Sequence, residues 1–208
     1  MRLLIAALWL LAGSALAGLF DQPVSASDGR LLALTQALQQ PLIRASYAQS
    51  RQLRLLKQPL KSSGSLLVVP GQAVILRQQQ PLAEALLLRG GEIAGLDERG
   101  ARLPLAAADN AVMARLSPVL LAMLGGDWPA LEQEFQLFFD GDERHWQIGL
   151  KPRADWLAQT LGEITLSGEA GLLLQLAIRV GEGDLTLMTL TPLAASPLTA
   201  EEQRALAP

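Results

Sequence analysis

Short apolar stretches separated by tight turns recur along most of this chain, and no other feature restricts its fold as much. Stretches over 43–55, 65–69, 72–79, 85–89 and 92–96 are closed in turn by Pro59 to Gly64, Pro70-Gly71, Pro81, Gly90-Gly91 and Asp97 to Gly100. Residues 101–105 can pair back onto them. A second series covers 134–139, 145–150, 163–167, 171–180 and 184–191, with Asp140-Gly141 as a hairpin signal. Strand-length segments at roughly ten-residue spacing, joined by turns too short for a crossover, describe an antiparallel meander. The alternation is sharpest at 172–180. Leu172, Leu174, Leu176, Ile178 and Val180 fall on one face; Leu173, Gln175, Ala177 and Arg179 fall on the other. About ten such strands are too many for a flat sheet, which must curl or split, and a curled apolar face needs a cover.

Helical periodicity supplies the covers. Ser27 can cap a helix to about Gln40, with Leu31, Leu34 and Leu38 on one face and Pro41 as the stop. Asp109 opens a second helical stretch through Val112, Met113, Leu116, Leu120, Met123 and Leu124. Ser117-Pro118 divides it and Gly125-Gly126 ends it. Residues 127–133 read as a further helical turn or loop, and 152–159 as a helical turn. Thr199 with Glu202 forms a capping box for a terminal helix. The expected fold class is mainly β with helices (α+β), a large curled antiparallel sheet, or half-open barrel, under a helical lid.

The first residues read as an export signal. Arg2 precedes an apolar run from Leu3 to Leu11, Gly13-Ser14 breaks it, and Ala15-Leu16-Ala17 is an A-x-A cleavage site. The run of about nine residues is short of the roughly 20 needed to span a bilayer. The expected organisation is therefore a signal peptide over 1–17, cleaved after Ala17, and one domain over 18–208 in the periplasm, with 18–26 as a loose leader. Without 1–17 the chain has sixteen basic residues against twenty acidic ones, a formal charge of −4. That balance argues against nucleic acid, whose phosphates require clustered Lys and Arg. With no Cys, neither disulfides nor lipid attachment at a cysteine is available. Hydrophobic residues make up 50% of the chain and charged ones 18%, more apolar surface than an ordinary core needs and consistent with either a Leu- and Ala-rich core or an internal apolar cavity.

Reactive chemistry is sparse. The lone His145 follows a hairpin turn, and Asp140, Asp142 and Glu143 sit in the turn itself, where acids are normally solvated. Ser62-Ser63-Gly64 reads as a turn feeding a strand. No G-x-S-x-G, Walker A or G-x-G-x-x-G motif occurs. No enzyme, metal or cofactor is expected, and a binding or carrier role is favoured.

Residues 47–81 carry a resemblance. Tyr47-Ala48-Gln49 on the first long strand, the basic and apolar stretch Leu55 to Lys61 leading to Ser62-Ser63-Gly64, the turn at Pro70-Gly71, the Pro81 that closes the following strand and the later Leu150-Lys151-Pro152 are similar to the pattern of the LolA-like periplasmic outer-membrane lipoprotein carriers. The order of elements agrees along most of 28–191. Typical carriers have an Arg in the turn after the second strand and a Trp on the third; here those places hold Pro70 and Leu76. The Arg is tied to opening of the cavity in those carriers. The tail from Ser196 to Glu202, with its helix, replaces an extra strand. The chain thus looks more like divergent family members found beside aryl-polyene and fatty-acid-type biosynthetic genes.

The resemblance implies a half-barrel with a lid over an apolar cavity for acyl chains. It implies a carrier of lipoprotein or lipid-like cargo moving toward the outer membrane, an inner-membrane donor, an outer-membrane acceptor and a monomeric state. A sensor or partner-binding domain of the same fold is the alternative. The expected cavity residues are Leu66, Val68, Val74, Leu76, Leu86, Leu88, Leu116, Leu120, Phe135, Leu137, Phe139, Trp146, Ile148, Leu172, Leu174 and Leu176, with Met113 and Met123 as adaptable side chains on the lid.

Overall fold

The computed structural model describes residues 18–38, 40–90, 92–104 and 118–207. The signal peptide expected over 1–17 and the expected positions Asp109, Val112, Met113 and Leu116 lie outside them. In chain order the elements are β1 (Pro23–Val24), α1 (Gly29–Leu38), β2 (Ile43–Gln52), β3 (Leu60–Val69), β4 (Ala73–Gln80), β5 (Glu84–Arg89), β6 (Glu92–Leu96) and β7 (Arg102–Leu103). A helix over residues 118–125 (α2) follows. The chain continues with α3 (Trp128–Glu134), β8 (Phe135–Gly141), β9 (His145–Pro152), α4 (Asp155–Thr160), β10 (Glu163–Glu169), β11 (Leu172–Val180), β12 (Asp184–Pro192) and α5 (Ala200–Leu206).

The strands form one antiparallel 12-stranded sheet in the order β1-β8-β9-β10-β11-β12-β2-β3-β4-β5-β6-β7. Each half is a meander of sequential hairpins. The halves join where β12 lies beside β2, with Leu190 opposite Tyr47 and Pro192 opposite Ala45. The sheet is curled and not closed, as its size requires.

Its inner face carries two apolar clusters. Phe135, Leu137, Ile148, Leu150, Ile164 and Leu166 on β8–β10 pack with Leu31 and Leu34 of α1, Trp128 and Leu131 of α3 and Leu157 of α4. Ala45, Tyr47, Leu66, Val68, Val74, Leu88 and Ile93 form the second cluster on β2–β6. Leu120 of α2 packs against both, so α2 bridges the two halves from above. The outer face is covered too. Leu67, Ile75 and Leu87 pack beneath Ala205 and Leu206 of α5. Strands buried on both faces read as continuous apolar runs, as Leu66 to Val69 and Ala73 to Leu76 do.

Local chemistry explains most boundaries. Asp28, rather than Ser27, caps α1, accepting from Arg30 N at 2.9 Å. Gly126 adopts φ +69 after α2, and Asp127 N bonds back to Ala122 O at 2.9 Å. Asp127 then accepts from Ala130 N at 3.1 Å to start α3, with Pro129 in the first turn. The terminal capping box forms as expected: Glu202 N bonds Thr199 Oγ1 at 3.2 Å, and Thr199 N bonds Glu202 Oε2 at 2.8 Å. The expected loose leader is in fact attached. β1 pairs with β8, and Phe20 meets the Phe138 ring edge-on at 5.2 Å between centroids.

One segment departs from its sequence reading. Pro59 to Gly64 is expected as a turn, but β3 begins at Leu60 and runs through Ser62-Ser63-Gly64. Gly64 lies opposite Tyr47, and the register with β4 slips between Ser63 and Gly64. A Cβ at Gly64 would stand 1.9 Å from Arg77 O. The glycine serves a bulge and a close backbone approach inside a strand, not a turn.

Gly64→Ala is therefore expected to destabilise the fold by roughly 3 kcal/mol, since backbone must move to admit one methyl. Urea denaturation checks this; an unchanged midpoint would show that β4 yields freely.

Candidate functional site

A cavity of about 120 Å³ opens where the two inner clusters meet, beneath α2. Its walls are Ile43 and Ala45 of β2, Leu66 and Val68 of β3, Trp146 of β9, Leu166 of β10, Leu173 of β11 and Leu190 of β12. Met123 and Leu124 of α2 and Trp128 of α3 close it from above. At the rim stand Leu38, Gln40, Leu42, Arg44, Leu172, Pro192, Leu193 and Ala195. Hydrocarbon dominates this lining, and the seam between β12 and β2 forms the cavity floor.

The rim is fastened by an ion pair. Arg44 donates to both carboxylate oxygens of Glu202 at 2.7 Å, and to Ser196 O at 3.2 Å and Pro197 O at 3.0 Å. The paired side chains are 14% and 10% exposed, so water screens them little. One guanidinium thus ties the beginning of β2 to the tail and to α5, right beside Leu193 and Ala195. Arg44's hydrogen bonds hold the Glu202 carboxyl below the ordinary carboxylate range, outweighing burial, which acts the other way. In the second cluster burial pushes the Tyr47 phenol up, and the charge of Glu84 adds to the effect.

The expected cavity residues divide by location. Leu66, Val68, Trp146 and Leu172 line the cavity. Val74, Leu76, Leu86 and Leu88 continue the same inner face in the second cluster, and Leu120 reaches it from α2. Phe135, Leu137, Phe139 and Ile148 are buried in the first cluster, where α1, α3 and α4 occupy the space above the sheet. Leu176 packs at that cluster's margin. Leu174 lies instead in a shallow cleft with Gln175, His145 and Gln147. Leu116 lies outside the described residues.

The strand at 172–180 shows why. Gly168 is opposite Leu173 and Ser167 is opposite Gln175, so β11 bulges at Leu174. Leu173 therefore joins Leu176 and Ile178 at the inner clusters, while strict alternation assigns it to the other face. Nothing in the run of leucines announces the slip. Met123, expected on the lid, does line the cavity, and Leu166 and Leu190 line it without having been chosen, although their alternation was legible.

Around the remaining polar groups the geometry is that of turns. Asp142 accepts from Arg144 N at 2.8 Å and His145 N at 3.0 Å, and these backbone bonds hold its carboxyl below the usual range. His145 is exposed, with Glu169 3.7 Å away. Among the described residues no group of three or more His, Asp or Glu could hold a metal ion. No helix among them is long and apolar enough to cross a membrane.

Residues 25–207 match the family model described as outer membrane lipoprotein carrier protein LolA-like. The fold is similar to that of MucB, at 18% identity and a TM-score of 0.50, over 88% of this chain and 64% of that one. The chain thus spans less than two thirds of MucB. It also aligns with the LolA superfamily protein NE2245 of Nitrosomonas europaea, at 11% identity and a TM-score of 0.42, over 84% of this chain and 96% of that one. The MucA/MucB complex of Pseudomonas aeruginosa aligns at 18% identity and a TM-score of 0.42, over 85% and 62%. Comparison with curated protein sequences gave no match.

The Arg44–Glu202 pair yields a signed pH dependence. A depressed carboxyl contributes stability that is fully present above its unfolded value, near 4.5, and is lost as pH falls through the lower folded value. Glu202→Gln should be less stable than the parent by roughly 2 kcal/mol at pH 7. The difference should shrink as pH falls below about 4.5. Urea titrations of both proteins across that range check it; a pH-independent difference would mean that packing, not charge, holds the tail.

Proposed function

Because the chain belongs to the outer membrane lipoprotein carrier protein LolA-like family, we propose that it is a periplasmic carrier that shelters the acyl chains of a lipoprotein or lipid-like product. LolA-like proteins typically bind lipids or lipoproteins, and the family is a carrier and binding fold whose members are periplasmic. The observation that carries the proposal is the hydrocarbon-lined cavity beneath α2. On this reading residues 1–17 direct export and are removed after Ala17, and residues 18–208 work as one domain. The cargo is received from an inner-membrane donor and delivered to an outer-membrane acceptor.

Size sets the mechanism. Pockets that enclose a drug-sized ligand run from roughly 300 Å³ upward, while this cavity holds about 120 Å³. On this reading the cavity is too small to take an acyl chain as it stands, and α2 lifts for one to enter. Among the described residues, α2 meets the second cluster through half-buried Leu120, Leu121 and Leu124, while Val119 and Met123 are buried in the first. The paired glycines Gly125-Gly126 lie at the end of α2 as its hinge. Each methylene removed from water contributes about 0.8 kcal/mol. A chain inserted by about ten methylenes gains about 8 kcal/mol, part of it spent in lifting α2 and ordering the ligand. That leaves affinity weak enough for release.

A partner-binding domain is the second reading, favoured by leucines away from the cavity. Leu55 is 93% and Leu82 75% exposed. Both stand at hairpin ends, between β2 and β3 and between β4 and β5, and the pairing of Ser63 with Gln80 puts those ends side by side. Such a patch suits contact with a donor or acceptor protein.

Native mass spectrometry of the purified protein with a palmitoylated peptide tests the carrier reading. A one-to-one complex is expected, weakened at least tenfold by Leu124→Glu, which places a charge on the cavity side of α2. Circular dichroism of the variant checks that the fold survives. A protein that takes up no acylated peptide but binds another protein through Leu55 and Leu82 would favour the second reading.

A further inference from the structure

Charge is segregated along this chain. Residues 29–83 hold seven basic residues and no acidic one, while residues 84–208 hold nine basic against eighteen acidic. Three of the seven are answered from elsewhere: Arg30 by Asp28, Arg44 by Glu202 and Arg77 by Glu201. The other four, Arg51, Arg54, Lys57 and Lys61, are exposed and form no ion pair among the described residues.

All four stand on one hairpin. Arg51 lies opposite Leu60 and Ser50 opposite Lys61, with residues 53–59 as the turn between. β3 meets β4 only from Ser63 onward, so Leu60, Lys61 and the turn overhang β4. Leu55, Leu56 and Leu60 occupy the same overhang, and Leu82 sits in the neighbouring turn between β4 and β5. These are four of the nine large apolar side chains left exposed among the described residues, so exposed leucine is concentrated where the unpaired cations are.

The overhang is held in shape at its base. Leu56 N donates to Leu53 O at 2.9 Å, Gln52 Nε2 to Leu56 O at 3.3 Å and Arg54 N to Asp184 Oδ1 at 2.8 Å. The Arg54 stem covers Gly183, where a Cβ would meet its Cδ at 2.9 Å. Gln78 Nε2 donates to Leu82 O at 3.0 Å. The leucines are thus presented on ordered turns, which lowers the entropy lost on docking. The nearby acids stand further back. Glu84 pairs with Gln78, level with Gly64, and Glu182 and Asp184 flank the base of the turn.

We propose that the overhang, with Leu82 beside it, docks the protein on a bilayer surface rich in anionic phospholipid. Leucine side chains enter the interface while Arg and Lys reach the phosphates. A fluid bilayer accepts a projecting leucine without a matching pocket. Protein interfaces centre on aromatic anchors and are depleted of lysine, whereas residues 51–61 hold two lysines and no aromatic residue. The inference goes beyond the carrier reading and does not rest on it. Arg44, at the cavity rim, and Arg51, at the overhang, lie toward opposite ends of β2.

The test is co-flotation of the protein, purified after export, with vesicles of phosphatidylcholine alone and of phosphatidylcholine with phosphatidylglycerol. Binding to the anionic vesicles is expected, falling as salt is raised, with little binding to the neutral ones. Lys57→Glu combined with Lys61→Glu should weaken anionic-vesicle binding about tenfold or more, and Leu55→Ser combined with Leu82→Ser by a similar factor. All four side chains are exposed, so urea midpoints and uptake of palmitoylated peptide should match the parent's. If the leucine pair does not fold, the charge pair decides. Binding indifferent to phosphatidylglycerol, or a charge-reversed protein that floats as the parent does, overturns the inference and leaves the carrier reading intact. A parent that stays off both kinds of vesicle also overturns it, and if that parent binds a protein through Leu55 and Leu82 the patch belongs to the partner. Vesicle binding with the expected losses, but no uptake of palmitoylated peptide by the parent, supports the docking surface and overturns the carrier reading alone.

Discussion

The pairing of β12 with β2 is the contact on which the rest of the molecule depends. It sets the last long strand of the chain beside the first, with Leu185 opposite Gln52 at one end and Pro192 opposite Ala45 at the other. Without it there would be two meanders, each with an exposed apolar face and an open edge. With it there is one sheet wide enough to curl. The two inner clusters then meet along a seam that α2 spans without filling, and the cavity is the space left there. It is the most non-local strand pairing among the described residues, so bringing its two strands together costs the most chain entropy.

Much of this architecture could be read from residues alone. Turn chemistry at Pro70-Gly71, Gly90-Gly91 and Asp140-Gly141 marked hairpins because those residues adopt turn geometry at little cost. Thr199 and Glu202 marked the start of α5 because a capping box is a local interaction, complete within one helical turn. The inner face of β3–β5 followed from alternation at Leu66, Val68, Val74, Leu76, Leu86 and Leu88, which the register preserves.

What could not be read depended on contacts between distant segments. Gly64 looked like a turn residue, and only its approach to Arg77 O explains why it sits within a strand. The bulge at Leu174 moves Leu173 inward in a run of three leucines whose chemistry is the same at every position. Phe135, Leu137 and Ile148 were correctly placed on an apolar inner face, but periodicity cannot distinguish a wall of a cavity from a wall packed against helices. That distinction belongs to α1, α3 and α4. The Arg44–Glu202 pair joins residues from opposite ends of the sequence and left no local signature.

A sheet this wide also presents an assembly hazard, and its borders answer it. β1 shields the middle of β8 and β7 the end of β6, each for two residues. Among the described residues, the backbone left uncovered on either border is broken into runs of two or three residues. Runs that short give an approaching strand little to pair with, so the usual route from an open sheet to strand-swapped fibres is blunted. The molecule can carry a broad apolar inner face while crowded by copies of itself, because side chains, and not its backbone, are what it offers to others.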